Sequence, residues 1–128
     1  MGGQMKTKKK ILIVDDSTDI VALTQKLLET RGFDVLTLSQ GNRTLEVTKA
    51  GQPDLILLDM ILEDKTGAEI CHEIKSDPAT KNIPVIITTG HVNTTDTVKQ
   101  NFIEPNAYLI KPFELTDLLT HINQFLTP

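Results

Sequence analysis

The sequence predicts an α/β fold, in which helices cover both faces of a doubly wound parallel sheet of five strands. Short apolar runs rich in β-branched residues alternate strictly with segments whose apolar residues recur every three or four positions. Strands that alternate with helices are joined by right-handed crossovers, which make the strands parallel and place helices on both faces. The 128 residues suit a single domain of this kind.

Five strands are predicted because each run is short, apolar and bounded by polar or turn-forming residues. The run that leads to Asp59 is the clearest, since four consecutive aliphatic residues indicate a strand buried on both faces. The predicted strands are residues 10–14, 34–38, 54–58, 84–89 and 107–110.

Five helices are predicted from the spacing of apolar residues. Gly32 follows the first helix and Gly51 the second, at positions where helices commonly end. The fourth has the weakest pattern, because only Val98 and Phe102 form its apolar stripe, so we expect it to be short, polar and mobile. The predicted helices are residues 18–31, 42–50, 68–75, 95–102 and 114–126.

The charge distribution separates a basic tail from an acidic body. The formal net charge is −4, but four of the 13 basic residues lie within the first ten. The remaining chain carries 9 basic and 17 acidic residues, a net charge of −8, which disfavours direct nucleic-acid binding. We expect residues 1–9 to be a disordered basic tail or an expression remnant, and residues 10–128 to form the domain.

The distribution of apolar residues indicates the compartment of the protein, and the position of the cysteine indicates its role. No apolar run approaches the roughly 18 residues of a membrane span, and the first residues lack the apolar centre of a signal peptide, so we expect a cytoplasmic protein without a membrane partner. The single Cys71 lies between Ile70 and Ile74 at helical spacing, which favours a buried core thiol over a nucleophile.

Three carboxylates fall at the carboxyl ends of predicted strands: Asp15 and Asp16 after the first, and Asp59 after the third. Ligands bind at this end of open α/β sheets, so the three side chains should converge on one crevice. Three anions at short range repel unless a cation joins them. Oxygen ligands favour Mg²⁺, with Mn²⁺ as the alternative, over zinc, which prefers His and Cys.

Two more strand ends carry groups that a metal site alone does not need. Thr89 supplies a hydroxyl and Lys111 an ammonium group. With a divalent ion, these groups could hold a phosphoryl group during transfer to the carboxylate of Asp59. Taken singly, Thr89 is an ordinary strand residue and Lys111 an ordinary surface lysine. Their shared position at strand ends favours the functional interpretation.

Several motifs together resemble the receiver domain of two-component response regulators, including single-domain chemotaxis regulators. The motifs are Ile-Leu-Ile-Val-Asp-Asp-Ser at 11–17, Asp-Leu-Ile-Leu-Leu-Asp-Met at 54–60, Gly67, Pro-Val-Ile-Ile-Thr-Thr at 84–89 and Tyr-Leu-Ile-Lys-Pro-Phe at 108–113. The resemblance covers residues 10–126. It implies a flavodoxin-like (βα)5 three-layer sandwich with strand order 2-1-3-4-5.

The resemblance implies that Asp59 accepts a phosphoryl group from a histidine kinase or a phosphotransfer protein. It also implies a magnesium site in which Asp16 binds the ion directly and Asp15 binds it directly or through water. Asp59 and the backbone carbonyl of Ile61 would complete the protein ligands. The protein would then be a switch rather than an enzyme, catalysing only its own phosphorylation and dephosphorylation.

Further implied roles concern the response to phosphorylation. Lys111 would pair with a phosphoryl oxygen, and its peptide bond to Pro112 is expected to be cis. Thr89 would move toward the phosphoryl group and Tyr108 would turn inward behind it. The surface formed by the fourth helix, the fifth strand and the fifth helix would change shape.

The sequence departs from the family pattern at three places: Glu63 stands where proline is usual, Glu104-Pro105 stand where Gly-Ala is usual, and Gly90 stands where alanine is common. The target of the switch stays open: it is either an unknown downstream protein or a missing output domain.

Few basic residues lie on the predicted fourth and fifth helices, which favours a monomer. The rival interpretation is a receiver-like interaction module that works without phosphorylation.

Overall fold

The computed structural model describes residues 8–90 and 101–126, and this part of the chain contains five strands and four α-helices. The predicted helix at 95–102 lies almost wholly outside the described residues. The other predicted elements are all present, within one or two residues of their expected ends. They are β1 (Lys10–Val14), α1 (Thr18–Thr30), β2 (Asp34–Leu38), α2 (Thr44–Gly51), β3 (Leu55–Asp59), α3 (Gly67–Ser76), β4 (Val85–Thr89), β5 (Ala107–Ile110) and α4 (Leu115–Leu126).

The sheet is parallel throughout, and its strand order β2-β1-β3-β4-β5 confirms the order that the resemblance implied. Val14 at the end of β1 pairs with Leu38 on one side and with Leu58 on the other. The strands therefore end nearly level, and the residues that follow β1 and β3 are neighbours at one edge of the sheet.

The core consists of two apolar layers, one on each face of the sheet. On one face, α3 packs Ile70, Cys71 and Ile74 against alternate residues of β1 and β3, and α2 packs beside it. On the other face, Leu28 of α1 and Ile122 of α4 pack against the remaining strand residues. This arrangement is a three-layer, doubly wound sandwich. Cys71 is fully buried, as its helical spacing predicted.

Element ends differ from the predictions where local geometry decides them. β3 extends to Asp59, which pairs with Thr88 and so belongs to the ladder itself. A 3₁₀ turn at Gly41–Arg43 precedes α2, and α2 continues through Gly51, the residue expected to end it. At the end of α2, the residue with a left-handed backbone is Gln52 rather than Gly51, with a φ of 44°.

The apolar stripe of α1 is only partly covered. Leu28 is fully buried, but 41% of Ile20 and 61% of Leu23 remain exposed. Periodicity identified the helix correctly, although it could not show that the neighbouring elements leave this part of the stripe open. Within 8–90 and 101–126, every helix falls short of the length and apolar character that crossing a membrane requires.

Candidate functional site

Three carboxylates meet at the carboxyl ends of β1 and β3. Asp15, Asp16 and Asp59 each offer an oxygen atom, and these atoms lie within 4.8 Å of one another. Asp15 is buried and accepts a hydrogen bond from the Ser17 N–H at 2.9 Å, whereas Asp16 is exposed. The predicted convergence of the three side chains is confirmed.

Lys111, just beyond the end of β5, bridges two of these carboxylates. Its Nζ lies 3.3 Å from Oδ1 of Asp59 and 3.5 Å from Oδ2 of Asp15. The Lys111–Pro112 peptide bond is cis, as expected. One ammonium group therefore partly neutralises a cluster of three carboxylates, and negative charge remains in excess.

The local environment raises the pKa of Asp59 above its usual value of 3.8. Burial is the main cause, because the side chain is only 12% exposed, and the Asp15 carboxylate raises the pKa further. The ammonium group of Lys111 and a hydrogen bond from the Ile61 N–H act in the opposite direction. The ionised form of Asp59 is therefore disfavoured even beside Lys111, and an additional cation would stabilise it.

The oxygen cluster fits a small divalent cation. Three carboxylates from two strand ends supply hard oxygen ligands, one of them on an exposed residue where water can complete the coordination. Among the described residues, the cluster contains no His or Cys, the ligands that zinc prefers. The donor set is therefore suited to Mg²⁺ or Mn²⁺.

Thr89 lies at the end of β4, beside this cluster. Its side chain is buried, and its carbonyl accepts a hydrogen bond from the Lys111 N–H at 2.7 Å. Gly90 follows, and a Cβ built on it would meet no atom of residues 8–90 or 101–126 within 4 Å. The structure thus brings the strand-end threonine and lysine together.

Tyr108 lies on β5 and is partly buried. Its hydroxyl donates a hydrogen bond to the Glu104 carboxylate at 2.8 Å, and its ring packs against the core layer that contains α3. Glu104 is one of the residues at which the sequence departs from the family pattern. The tyrosine hydroxyl is therefore bound to a carboxylate at one of these departures.

Ile61 is the fourth predicted contributor to metal binding, through its carbonyl. Its side chain is 75% exposed, and its N–H donates to Oδ1 of Asp59 at 3.4 Å. The residue thus lies directly beside the carboxylate cluster, in the loop between β3 and α3.

Sequence reasoning missed an apolar groove beside the cluster. The groove has a volume of about 430 Å³. It is lined by side chains of α1 and of the segment after β5, among them Ile20, Leu23, Leu27, Pro112 and Phe113. The available signal was the apolar stripe of α1, which is wider than the part that packs on the sheet. Lys111 is one of the residues that line this groove and also pairs with Asp59, so the groove adjoins the site.

Comparison with known proteins gives a consistent result. The family model described as the response regulator receiver domain matches residues 11–123. The alkaline phosphatase synthesis transcriptional regulatory protein PhoP of Bacillus subtilis (strain 168) is 33% identical over 118 residues, which are 92% of this chain and 48% of that protein. The chain spans about half the length of the curated relatives it matches.

Solved structures agree in fold. A putative response regulator from Chloroflexus aurantiacus J-10-fl superimposes with a TM-score of 0.84 at 25% identity, over 94% of this chain and 99% of that one. The receiver domain of the sensor histidine kinase PA1611 from Pseudomonas aeruginosa PAO1 has a TM-score of 0.82 at 22% identity, over 92% and 97% of the two chains. That domain has a magnesium ion coordinated in its active-site cleft.

Proposed function

The chain belongs to the response regulator receiver family of two-component signalling, and from this premise we propose that Asp59 accepts a phosphoryl group from a histidine of a sensor kinase or of a phosphotransfer protein. Members of this family are signalling switches that interact with histidine kinases and with downstream effectors. The observation that carries the proposal is the position of Asp59 at the carboxyl edge of the sheet, beside two further carboxylates and the ammonium group of Lys111.

The proposed reaction is a transfer from nitrogen to oxygen. A carboxylate oxygen of Asp59 attacks phosphorus, the new O–P bond forms, and the P–N bond to the donor imidazole breaks. The imidazole leaves with the electron pair of that bond and takes a proton from solvent. The product on Asp59 is an acyl phosphate, and its hydrolysis returns the free carboxylate.

The surrounding side chains stabilise the charge on the transferred group. The Nζ of Lys111, now bound to Asp59 and Asp15, can donate to a phosphoryl oxygen with little movement because it already lies 3.3 Å from Asp59. The hydroxyl of Thr89 supplies a second donor from the end of β4. A divalent cation held by Asp15, Asp16, Asp59 and the carbonyl of Ile61 would supply the positive charge that the cluster lacks.

The proposed output is a change in the surface that includes β5. When Thr89 turns toward the phosphoryl group, it vacates space behind it, and the ring of Tyr108 can turn inward. Tyr108 must then leave its hydrogen bond with Glu104. The shape of this surface would control a downstream protein or an output domain.

The apolar groove supports a protein, rather than a small molecule, as the physiological source of the phosphoryl group. A donor histidine must approach Asp59 from outside, and the exposed residues Ile20 and Leu23 line the same groove as Lys111. Exposed apolar surface of this kind is typical of protein contact sites. We propose that a helix of the phosphodonor protein packs in this groove.

The phosphoacceptor proposal is tested by intact mass after incubation with Mg²⁺ and acetyl phosphate. The parent should gain one phosphoryl group, and chelation of Mg²⁺ should abolish the gain. Asp59→Asn should gain none. A parent that never gains a phosphoryl group would instead support an interaction module that works without phosphorylation.

The role of the groove in docking is tested by comparing phosphoryl transfer from a small molecule with transfer from a protein. Leu23→Glu places a charge in the groove without touching the carboxylate cluster. This variant should accept phosphoryl from acetyl phosphate at the parental rate and accept it more slowly from a phosphorylated histidine phosphotransfer protein. Equal losses with both donors would show a damaged site, and no loss with either would exclude the groove as the docking surface.

A further inference from the structure

The loop between β3 and α3 is held firmly at both ends. The N–H of Gly67 donates to the carbonyl of Met60 at 2.6 Å, and Ile61 pairs with Thr66 in an isolated antiparallel bridge. Thr66 also forms a capping box with Glu69, which fixes the first turn of α3. These contacts set where the loop starts and ends, but they do not restrain its tip.

The tip is held by a carboxylate that binds a different loop. Oδ1 of Asp64 accepts a hydrogen bond from the N–H of Gly41 at 3.0 Å, and Oδ2 accepts one from the N–H of Asn42 at 2.8 Å. Both donors belong to the 3₁₀ turn between β2 and α2. One side chain therefore joins two loops at the same edge of the sheet.

The two loops approach closely at position 41, where a Cβ would crowd the ends of three side chains. A Cβ on Gly41 would lie 2.8 Å from Cδ1 of Ile70, 2.9 Å from Oδ1 of Asp64 and 3.0 Å from Cδ1 of Leu62. Leu62 belongs to the same loop as Asp64 and is buried in the core. The loop tip is thus packed against the 3₁₀ turn as well as hydrogen-bonded to it.

The charge of Asp64 is favoured by these contacts. The hydrogen bond from the Asn42 N–H is the main reason that the pKa of Asp64 lies below its usual value, and the bond from Gly41 adds to it. Asp64 is therefore ionised at neutral pH, with both oxygens available as acceptors. Hydrogen bonds to a charged acceptor are stronger than those between neutral groups.

Glu63, the residue before Asp64, is the reason that the hydrogen bonds of Asp64 matter for this loop. Members of the family usually carry proline four residues after the phosphoacceptor, and proline limits the conformations of the loop backbone. This chain has Glu63 there, which imposes no such limit. Among the described residues, this loop is held by the Asp64 hydrogen bonds, by the buried side chain of Leu62 and by the ion pair of Lys65 with Glu73.

We propose that Asp64 is a positioning residue, which fixes the loop so that the backbone carbonyl of Ile61 faces the divalent cation beside Asp59. The proposal rests on the proposed function, because that function assigns the Ile61 carbonyl to the cation. Asp64 acts only through the loop backbone, since the carboxylate cluster found among the described residues consists of Asp15, Asp16 and Asp59.

The first experiment measures the loop without any metal. Amide hydrogen exchange at Gly41, Asn42 and Ile61 should become about tenfold faster in Asp64→Ala, because the loops lose their connection. Glu63→Gln is the matched control: it removes one negative charge from the same loop but breaks none of these hydrogen bonds, so its exchange should match the parent. Unchanged exchange in Asp64→Ala would overturn the proposal.

The second experiment measures Mg²⁺ affinity by NMR titration, without phosphorylation. Asp64→Ala should bind Mg²⁺ about tenfold more weakly than the parent, the size of effect seen when residues that orient metal ligands are removed. Asp64→Asn, which keeps one acceptor oxygen, should fall between the two. Glu63→Gln should change the affinity less than twofold, the limit we set for the loss of one exposed charge.

The outcomes separate this proposal from the proposed function. Equal Mg²⁺ affinities in Asp64→Ala and Glu63→Gln would overturn the positioning role, even if the parent accepts phosphoryl on Asp59. A parent that binds Mg²⁺ but is never phosphorylated would overturn the phosphoacceptor role, while the affinity series still decides the role of Asp64. Asp64→Asn serves as the test variant if Asp64→Ala does not fold.

Discussion

The ammonium group of Lys111 lies 3.3 Å from Oδ1 of Asp59 and 3.5 Å from Oδ2 of Asp15, so one cation lies between two carboxylates that would otherwise repel each other. The two carboxylates lie at the ends of neighbouring strands, and the lysine follows the strand at one edge of the sheet. The strand order therefore brings together acidic and basic side chains that are distant in sequence.

Removal of Lys111 should raise the pKa of Asp59 further. Among the groups that lower this pKa, the Lys111 charge has the largest effect, and Lys111→Met removes it while keeping the length of the side chain. The measurement is an NMR titration of the Asp59 carboxyl carbon in the absence of divalent ions. Lys65→Met is the control, because Lys65 pairs with Glu73 instead, and the pKa of Asp59 should not change.

Asp59→Asn should stabilise the metal-free protein at neutral pH, by about 1 kcal/mol, the usual size of a single-residue effect. The raised pKa means that the folded state binds the proton of Asp59 more tightly than the unfolded state does. At pH 7 the ionised carboxylate therefore lowers the free energy of unfolding. This penalty disappears as the pH falls through the raised pKa toward 3.8, so the parent and the variant should converge there.

Denaturant unfolding at several pH values measures this difference. Mg²⁺ should stabilise the parent more than Asp59→Asn, since the variant lacks one of the charged ligands. Asp16→Asn is the matched control, because it removes a carboxylate from the same cluster at an exposed position and should stabilise less. A destabilised Asp59→Asn would contradict the assigned electrostatics.

Two buried threonines should respond oppositely to loss of the hydroxyl. Thr48 is fully buried on α2, and its Oγ1 has no hydrogen-bond partner among the described residues. Thr80 is also buried, but its Oγ1 donates to the carbonyl of Ile74 at 2.7 Å. Thr48→Val should therefore raise the free energy of unfolding and Thr80→Val should lower it, each by about 1 kcal/mol. Changes of the same sign would refute this explanation.

Cys71 should be unreactive in the folded protein. Burial raises the pKa of its thiol to about 12, so thiolate is scarce at neutral pH and reagents cannot reach it. The rate of labelling by a thiol reagent at pH 8 should rise only under conditions that unfold the domain. Rapid labelling without unfolding would indicate that α3 opens locally.

The positions of the strand-end residues were predictable because strong local patterns define the strands. β1 and β3 are continuous aliphatic runs, so their pattern alone indicates that Asp15 and Asp59 lie just beyond or at their ends. Thr89 and Lys111 follow from the same reasoning at β4 and β5. The strand order, however, came from the family resemblance, since periodicity carries no information on which strands pair.

Features that depend on contact between distant loops were not predictable. The bonds from Asp64 to Gly41 and Asn42 join residues 22 or 23 positions apart, and no periodic pattern marks them. The exposure of Leu23 was missed for a related reason, because helical spacing identifies an apolar face but not whether a neighbour covers it.

The central claim is that the phosphoryl group resides on Asp59, and reductive trapping tests it most directly. Borohydride reduces an aspartyl phosphate to homoserine, so digestion and mass spectrometry identify the modified residue. After incubation with Mg²⁺ and acetyl phosphate, we predict homoserine at position 59 in the parent and none in Asp59→Asn. Trapping at another carboxylate, or no trapped product under conditions that phosphorylate a known receiver domain, would contradict the account.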